Sequence, residues 1–259
     1  MRILITGAAT GIGAEAVKLF KADGHHVTAF DISEPPLVDH WVQVDLSQPA
    51  EIDRAVDAVT GSFDVLINNA GLPPRAGNQY AVLAVNFMAL RQVTQRMISK
   101  LVDGARIVNT ASRAGLMWHQ NVDEVKALFA LSTNDDLNDF ITRQKIDEAR
   151  AYNLSKEAVI AYTKSITTAL LSRNIRANSV SPAPVATAIL DDFMAALGDR
   201  AAAALALPGR AATPQEVAQV IYFLASENSS WIKGHDVLVD GGVSAMVSAQ
   251  ELNITLVEV

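Results

Sequence analysis

A tyrosine and a lysine stand four residues apart in the stretch AYNLSK, at Tyr152 and Lys156. On a helix, side chains four residues apart lie on one face, one turn apart. A free phenol, with a pKa of about 10, is a poor base at neutral pH. A cation about 4 Å away, at an effective dielectric constant near 20, favours the phenolate by roughly 4 kcal/mol, and burial of the phenol opposes this. The pair therefore has the parts of an acid/base catalyst, although an ordinary surface pair has the same spacing.

Short apolar runs alternate with longer helical patterns along the chain. We predict strands at residues 3–6, 27–30, 41–44, 65–67, 106–110, 175–180 and 237–239. We predict helices at residues 13–23, 49–60, 79–102, 148–172 and 214–226, the last opening with a capping-box pattern. Short strands that alternate with helices form βαβ units. The sequence therefore predicts an α/β fold, with a doubly wound parallel sheet in three αβα layers and a single domain over residues 1–259.

The segment of about forty residues between the strand at 106–110 and the helix at 148–172 breaks this alternation. A connection of about two to six residues would suffice. Its apolar residues keep helical spacing in two runs, separated by the cap-type residues STND at 132–135. We predict a helical insertion at about residues 115–147, as a lid or a contact surface.

The composition excludes several classes of protein. The 259 residues are 50% hydrophobic with a formal net charge of −7, which gives no general attraction for nucleic acid or an anionic membrane. There are no cysteines, no apolar run of membrane-spanning length, and MRILITG reads as a strand, not as a signal peptide. Of the five histidines, His25 and His26 are adjacent and the other three are scattered, so no metal site is predicted. We expect a soluble, cytoplasmic protein.

Three glycines mark the turn ITGAATGIG between the first strand and the first helix, at Gly7, Gly11 and Gly13. Glycines there permit a tight turn and let the backbone approach a pyrophosphate at a helix N-terminus. A glycine turn that only closes βα packing is the alternative.

Asp31 ends the second predicted strand, 18 residues after Gly13. A carboxylate there can accept hydrogen bonds from both ribose hydroxyls of an adenosine and repels a 2′-phosphate. The segments 8–10 and 32–34 contain no basic residue that would pair with such a phosphate. The sequence therefore predicts NAD as cofactor in preference to NADP, with a helix-capping aspartate as the alternative.

Three motifs together, TGAATGIG, NNAG at 68–71 and YNLSK at 152–156, resemble the short-chain dehydrogenase/reductase family over essentially the whole chain. The resemblance implies a Rossmann-type fold and hydride transfer between NAD and an alcohol or carbonyl compound. The long gap between Ser112 and Tyr152 is similar to the branch of 3α-hydroxysteroid dehydrogenase/carbonyl reductases and coniferyl-alcohol dehydrogenases. One departure is Ala183, where the family usually has glycine.

The resemblance assigns roles to individual residues. The catalytic residues it implies are Asn86, Ser112, Tyr152 and Lys156. Tyr152 would be the acid/base, and Ser112 would hydrogen-bond the substrate oxygen. Lys156 would tune Tyr152 and hold a ribose hydroxyl, and the backbone carbonyl of Asn86 would hold a water that relays protons. Asp45 would bond adenine, Asn68 would line the adenosine side, and Thr187 would contact the nicotinamide amide. The predicted NAD-binding residues are Gly7, Thr10, Gly11, Ile12, Gly13, Asp31, Asp45, Leu46, Asn69, Ala70, Gly71, Tyr152, Lys156, Pro182, Val185 and Thr187.

The substrate pocket is predicted from the insertion, residues 185–208 and the tail after Gly242. A hydrophobic wall there would favour a bulky apolar alcohol or ketone, such as a hydroxysteroid or aryl alcohol. The wall residues predicted are Met117, Trp118, Ile189, Leu190, Phe193 and Met194, and His119 is a further candidate. An NAD-binding redox sensor without turnover, or the same chemistry on a small polar substrate, remain alternatives.

The assembly predicted from the resemblance is a homodimer. Family tetramers use the two long helices, here 79–102 and 148–172, and the insertion is placed to cover them. We therefore expect contacts through the last predicted helix and the last strand, with a tetramer as the alternative.

Overall fold

The computed structural model describes residues 1–252, except the side chains at 197, 199–201 and 204. Seven parallel strands form one sheet in the order β3-β2-β1-β4-β5-β6-β7. Their bounds are Arg2–Thr6 (β1), His26–Asp31 (β2), His40–Gln43 (β3), Phe63–Asn68 (β4), Leu101–Thr110 (β5), Arg176–Pro182 (β6) and Asp236–Val239 (β7). The predicted doubly wound sheet is confirmed, and residues 253–259 of the predicted domain lie outside the described part.

Helices cover both faces of the sheet. They are Gly11–Ala22 (α1), Pro49–Ala58 (α2), Gln79–Leu83 (α3), Leu90–Met97 (α4), Val122–Phe129 (α5), Leu137–Gln144 (α6), Glu148–Leu170 (α7), Leu190–Leu197 (α8), Asp199–Ala206 (α9), Pro214–Ala225 (α10) and Val243–Glu251 (α11). Helices α1 and α10 pack on one face, and the apolar sides of α2, α4 and α7 pack on the other. The three predicted layers are therefore present, and the capping box of Thr213 and Glu216 starts α10.

The predicted helix at 79–102 and the predicted strand at 106–110 meet at a different place in the structure. The helical segment from Gln79 is interrupted by a π-helical turn at Ala84–Ala89 and ends after a 3₁₀ turn at Ile98–Lys100. Leu101 instead begins β5, where it is buried and pairs with Phe63 of β4. The apolar residues of this junction satisfy both a helical and a strand pattern, so only pairing with β4 decides between them. The loop and helix predicted at residues 185–208 contain two helices, α8 and α9, and α11 was not predicted.

The predicted insertion forms α5 and α6, preceded by a 3₁₀ helix at Arg113–His119. Its buried residues Leu128 and Phe140 belong to one hydrophobic cluster with Phe87 and Tyr162, from the two long helical segments. Polar contacts add to this packing, because Arg150 of α7 pairs with Glu124 of α5 at 2.6 Å. The insertion therefore covers the outer faces of both helical segments, as predicted.

Residues 1–252 contain neither a membrane-spanning helix nor a metal-binding group of side chains. No helix in this range is both long enough and apolar enough to cross a membrane. Within the same range, no group of three or more His, Asp or Glu side chains is placed to hold a metal ion.

Gly13 allows helix α1 to start directly against the glycine turn. A Cβ at this position would lie 1.9 Å from the carbonyl oxygen of Gly7 and 2.6 Å from Nδ2 of Asn69. We expect Gly13→Ala to lower the free energy of unfolding by about 3 kcal/mol, because backbone must move to accommodate the methyl group. Gly24→Ala is the control, because a Cβ there meets nothing within 4 Å. Its φ of +73° means that the control measures backbone strain without a packing clash. Denaturant unfolding of both variants measures the difference, and equal losses would contradict the packing role of Gly13.

Candidate active site

A cavity of about 1130 Å³ opens at the carboxyl edge of the sheet. Its lining includes the ends of five strands or the residues just after them: Gly7, Asp31, Asn69, Thr110 and Pro182. Strand order reverses between β1 and β4, so the helices that follow them leave on opposite faces. Crevices of this kind are where open α/β sheets bind ligands.

The glycine turn forms one wall of the cavity. Gly7 and Gly11 have φ values of +69° and +56°, which favour glycine. A Cβ at Gly7 would lie 2.7 Å from Cα of Ala70, so the turn rests directly on the loop after β4. Thr10, Gly11 and Ile12 place the first turn of α1 against the cavity, where its main-chain N–H groups have no partner within the helix. The turn therefore fits a pyrophosphate, whereas Gly13 does not line the cavity and serves packing.

Acidic residues lie at the far end of the cavity, after β2 and β3. The carboxylate of Asp31 accepts hydrogen bonds from the main-chain N–H of Ala9 at 2.9 Å and of Ser33 at 3.1 Å. Asp45 and Leu46 line the same end. Asp31 is thus held at the edge of the glycine turn with its charge facing the cavity, in the position predicted for a ribose partner.

The two asparagines after β4 have different places. Asn68 is buried and donates to Thr94 Oγ1 and Asn109 Oδ1. It was predicted to line the cofactor site, but it does not line the cavity. Asn69 lines the cavity and donates to the Gly7 carbonyl at 2.8 Å. Because adjacent residues of a strand point to opposite sides, the buried amide braces the sheet and the next one braces the glycine turn. Ala70 and Gly71 complete this wall.

Tyr152 and Lys156 lie on α7, deep in the cavity, with exposed fractions of 7% and 4%. The Lys156 ammonium group donates to the Thr110 carbonyl at 2.9 Å and is 5.8 Å from the centre of the Tyr152 ring. Burial raises the pKa of Tyr152 to about 12, and the neighbouring Ser112 hydroxyl opposes this shift. Burial also lowers the pKa of Lys156 to about 8. The lysine charge and the burial of the phenol were predicted to act on this pKa in opposite directions, and in the structure burial is the larger effect.

Asn86 lies in the π-helical turn, buried behind Lys156. Its side chain accepts from the N–H of Leu72 at 2.7 Å and donates to the carbonyl of Leu72 at 3.1 Å. A Cβ at Gly71 would be 3.4 Å from Asn86 Oδ1 and 3.5 Å from Lys156 Nζ, so these three residues form one cluster. π-Helical turns frequently occur at functional sites. The side chain of Asn86 therefore fixes the loop that carries Gly71 and Leu72.

The loop after β6 closes the cavity above the glycine turn. Pro182, Ala183, Val185 and Thr187 line the cavity, and a Cβ at Gly11 would lie 3.2 Å from the methyl group of Thr187. Thr187 thus lies over the start of α1, between the two ends of the cavity.

The substrate end of the cavity is largely apolar. Phe193 packs edge-on against the Tyr152 ring, with 4.9 Å between ring centres. Of the predicted wall, Met117, Ile189 and Phe193 line the cavity, while Trp118, Leu190 and Met194 do not; Trp118 packs on the core. His119 also lines it. The tail after Gly242, predicted as part of the pocket, contributes Ser244, Val247 and Ser248, whereas Leu72 and Arg113 also line the cavity and were not predicted.

Burial of Lys156 has a consequence for stability. Its pKa is about 8 in the fold against an ordinary 10.5, so the unfolded chain binds more protons between these values and the ionised lysine destabilises the fold below pH 8. We expect Lys156→Met to raise the free energy of unfolding at pH 7 by about 2 kcal/mol, after allowance for the lost bond to Thr110. The gain should shrink as the pH rises from 8 to 10.5.

Denaturant unfolding at pH 7 and pH 10 tests this expectation. Lys164→Met, at an exposed position farther along α7, is the matched control. A loss of stability for Lys156→Met at pH 7 would contradict the dominance of burial.

Taken together, the fold and the cavity define a dinucleotide-binding α/β protein. Residues 1–123 match the family model described as short chain dehydrogenase, and residues 139–244 match the one described as enoyl-(acyl carrier protein) reductase. A coniferyl-alcohol dehydrogenase of Pseudomonas sp. (strain HR199 / DSM 7063) is 33% identical over 94% of this chain and 96% of its own length. The chain belongs to the short-chain dehydrogenase/reductase family of oxidoreductases, whose members use a nicotinamide cofactor.

Two further relatives support the branch that the insertion indicated. The 3-alpha-hydroxysteroid dehydrogenase/carbonyl reductase of Comamonas testosteroni is 26% identical over 95% of this chain and 97% of its own. The crystal structure of the 3-alpha-hydroxysteroid dehydrogenase from Pseudomonas sp. B-0831, complexed with NADH, aligns with a TM-score of 0.83. It is 29% identical, and the alignment covers 96% of this chain and 99% of that chain. The resemblance inferred from the sequence motifs is confirmed.

Proposed function

We propose that this protein is an NAD-dependent dehydrogenase or reductase that acts on a secondary or allylic alcohol, or on the corresponding carbonyl compound, with a bulky apolar body. The observation that carries the proposal is a single cavity that joins the Asp31 carboxylate and glycine turn at one end to Ser112, Tyr152 and Lys156 at the other. A dinucleotide laid along the turn would extend between these two ends. The cofactor supplies the acceptor or donor of hydride when bound.

Tyr152 is the proposed acid/base. In alcohol oxidation its phenolate takes the hydroxyl proton, and in carbonyl reduction its phenol donates that proton. Burial raises the pKa of the phenol to about 12, which favours the protonated form that donates in carbonyl reduction, and a positive charge beside the ring would favour the phenolate that oxidation uses. Ser112 orients the substrate oxygen, by the logic of an oxyanion hole.

Lys156 and Asn86 are proposed to support Tyr152. The ammonium group of Lys156 is fixed by the Thr110 carbonyl close to the phenol ring and can also hold a ribose hydroxyl. Asn86 lies in the π-helical turn with its side-chain oxygen near this lysine, and its backbone carbonyl is proposed to hold a water that passes protons to solvent.

The preference for NAD rests on Asp31. Its carboxylate is held by two main-chain N–H groups at the cavity wall and is thereby placed to accept from ribose hydroxyls and to repel a 2′-phosphate. Among the described residues that line the cavity, Arg113 and Lys156 are the only arginine and lysine. Arg113 follows Ser112 in sequence, and Lys156 lies close to Tyr152. None of these described lining residues therefore places a lysine or arginine to pair with a 2′-phosphate.

The apolar body of the substrate is inferred from the cavity wall. Ile189, Phe193 and Met117 line the end that holds Tyr152, and Leu72 and Val247 extend this surface. The named activities of the relatives, on coniferyl alcohol and on 3α-hydroxysteroids, are in keeping with such a wall. An aryl alcohol or a hydroxysteroid is the proposed substrate class.

Absorbance of reduced nicotinamide tests the proposal. The enzyme is given NAD and then NADP over a panel of hydroxysteroids, cinnamyl-type alcohols, simple secondary alcohols and small polar alcohols. We expect turnover with NAD and an apolar alcohol. Tight NAD binding with no turnover across the panel would overturn the proposal and favour a redox sensor, and a preference for polar alcohols would overturn the substrate class.

A cytoplasmic homodimer is the proposed form of the enzyme. The insertion covers the helical faces on which a four-helix contact would form, whereas Phe223 of α10, Leu238 of β7 and Trp231 between them are exposed, Trp231 to 94%. Apolar side chains on that edge fit a contact between two copies. Sedimentation equilibrium should give a dimer for the wild type and a weaker dimer for Trp231→Asp. A tetramer unaffected by this substitution would contradict the proposal.

A further inference from the structure

Arg113 lies in the cavity wall directly after Ser112, at the start of the 3₁₀ helix. Its Nε is buried, and no described residue provides a hydrogen-bond partner for it. Arg106 and Arg176 also have an unpaired Nε, but the guanidinium group of Arg106 pairs with Glu227 and that of Arg176 donates to Ser226. Arg113 differs from these two arginines because it lines the large cavity and they do not.

The charged neighbours of Arg113 do not neutralise it completely. Asp240 is 8% exposed, and its two oxygens accept N–H groups of Gly242 at 3.0 Å and Ser244 at 2.8 Å. The charge of Arg113 acts on this carboxylate, yet the two form no ion pair. Glu251 also lines the cavity, from the exposed end of α11. Asp240 therefore acts on Arg113 only through its charge, and its oxygens are bound to main-chain N–H groups instead.

An arginine in this position has a specific binding capacity. The guanidinium group is planar, permanently charged and matched to a carboxylate, with which it forms two parallel hydrogen bonds. Buried charge is costly unless it is paired, and the buried Nε of Arg113 has no acceptor among the described residues. A ligand anion would supply the missing partner within one arginine side chain's length of Ser112.

We propose that Arg113 binds a carboxylate of the substrate, so that the natural substrate is an apolar alcohol or ketone that carries an acid group away from its reacting carbon. This inference rests on the proposed function for the reacting alcohol, and adds the anionic group to it. Ser112 and Tyr152 would hold the reacting oxygen, Phe193 and its neighbours the apolar body, and Arg113 the acid.

Calorimetry with cinnamate and its uncharged analogue cinnamamide tests the anion site without turnover. The wild type, in the presence of NADH, should prefer the acid, and Arg113→Met should reduce this preference by about 10- to 100-fold. Arg113→Lys keeps the charge but loses the planar pair of donors, and should retain part of the preference. Thermal unfolding of both variants checks that they are folded. Equal binding of acid and amide by the wild type, or an unchanged preference in Arg113→Met, would overturn the proposal.

A matched pair of alcohols links the anion site to catalysis. The ratio of kcat/KM for 4-(1-hydroxyethyl)benzoate to that for 1-phenylethanol should fall by about 10- to 100-fold in Arg113→Met. Oxidation of both alcohols with a ratio that does not depend on Arg113 would overturn this inference and leave the proposed function intact. Binding of cinnamate through Arg113 without oxidation of any alcohol would leave the anion site intact and overturn the proposed function.

Discussion

Tyr152→Phe should lower kcat by about 10²- to 10⁴-fold, because the substitution removes the group that takes or gives the substrate proton. The ring would remain packed against Phe193 and the backbone of α7 would be unchanged. KM should change little by comparison, since the lost interaction forms with the proton in transfer. Steady-state kinetics with NAD and the best alcohol of the panel measure both constants.

Tyr162→Phe is the matched control for this prediction. Tyr162 is a second buried tyrosine on α7, and burial raises its pKa to about 12 as well, but it packs among Phe87 and Phe129 outside the cavity. We expect the control to keep kcat within about threefold of the wild type. Retention of most activity in Tyr152→Phe, or an equal loss in the control, would exclude Tyr152 as the acid/base.

Asp31→Asn should reverse much of the cofactor preference. The change removes the charge that accepts ribose hydroxyls and repels a 2′-phosphate, and each such hydrogen bond contributes about 1.5–3 kcal/mol. We therefore expect the Kd of NAD to rise by about tenfold and the ratio of NADP to NAD affinity to rise by about 100-fold. Fluorescence titration with the two reduced cofactors measures the ratio directly.

Glu34→Gln removes the same charge from an exposed residue near Asp31 and serves as the control. It should leave the affinity ratio within about twofold, because an exposed charge is screened by solvent. An unchanged ratio in Asp31→Asn, with the fold intact, would indicate that Asp31 only braces the main chain of Ala9 and Ser33.

The parts of the site that the sequence predicts well are those tied to the ends of strands. In a parallel sheet the carboxyl ends of all strands meet at one edge, so the residues after β1, β2, β4 and β5 must lie close together. Asp31, Asn69 and Ser112 follow from this rule once the strands are known. The glycine turn follows as well, since Gly7 and Gly11 need a positive φ.

The features that the sequence could not supply depend on tertiary packing. Asn68 and Asn69 are the same residue type, so the sequence does not distinguish them. Only the register of β4 shows which one faces the cavity. The pKa of Tyr152 depends on burial by Phe193 and the insertion, which a spacing of four residues does not reveal. Arg113 could not be predicted, because the lack of a partner for its Nε among the described residues is a property of the packed structure.

Deuterium transfer tests the central claim most directly. An alcohol that the enzyme oxidises, labelled with deuterium on its carbinol carbon, is incubated with the enzyme and NAD, and the recovered nicotinamide is examined by NMR. The proposed function predicts deuterium at C4 of the nicotinamide ring, on one face only, with the initial rate of transfer about 10²- to 10⁴-fold lower in Tyr152→Phe. Bound NAD that gains no deuterium from any alcohol of the panel would contradict an oxidoreductase role and leave a cofactor-binding sensor.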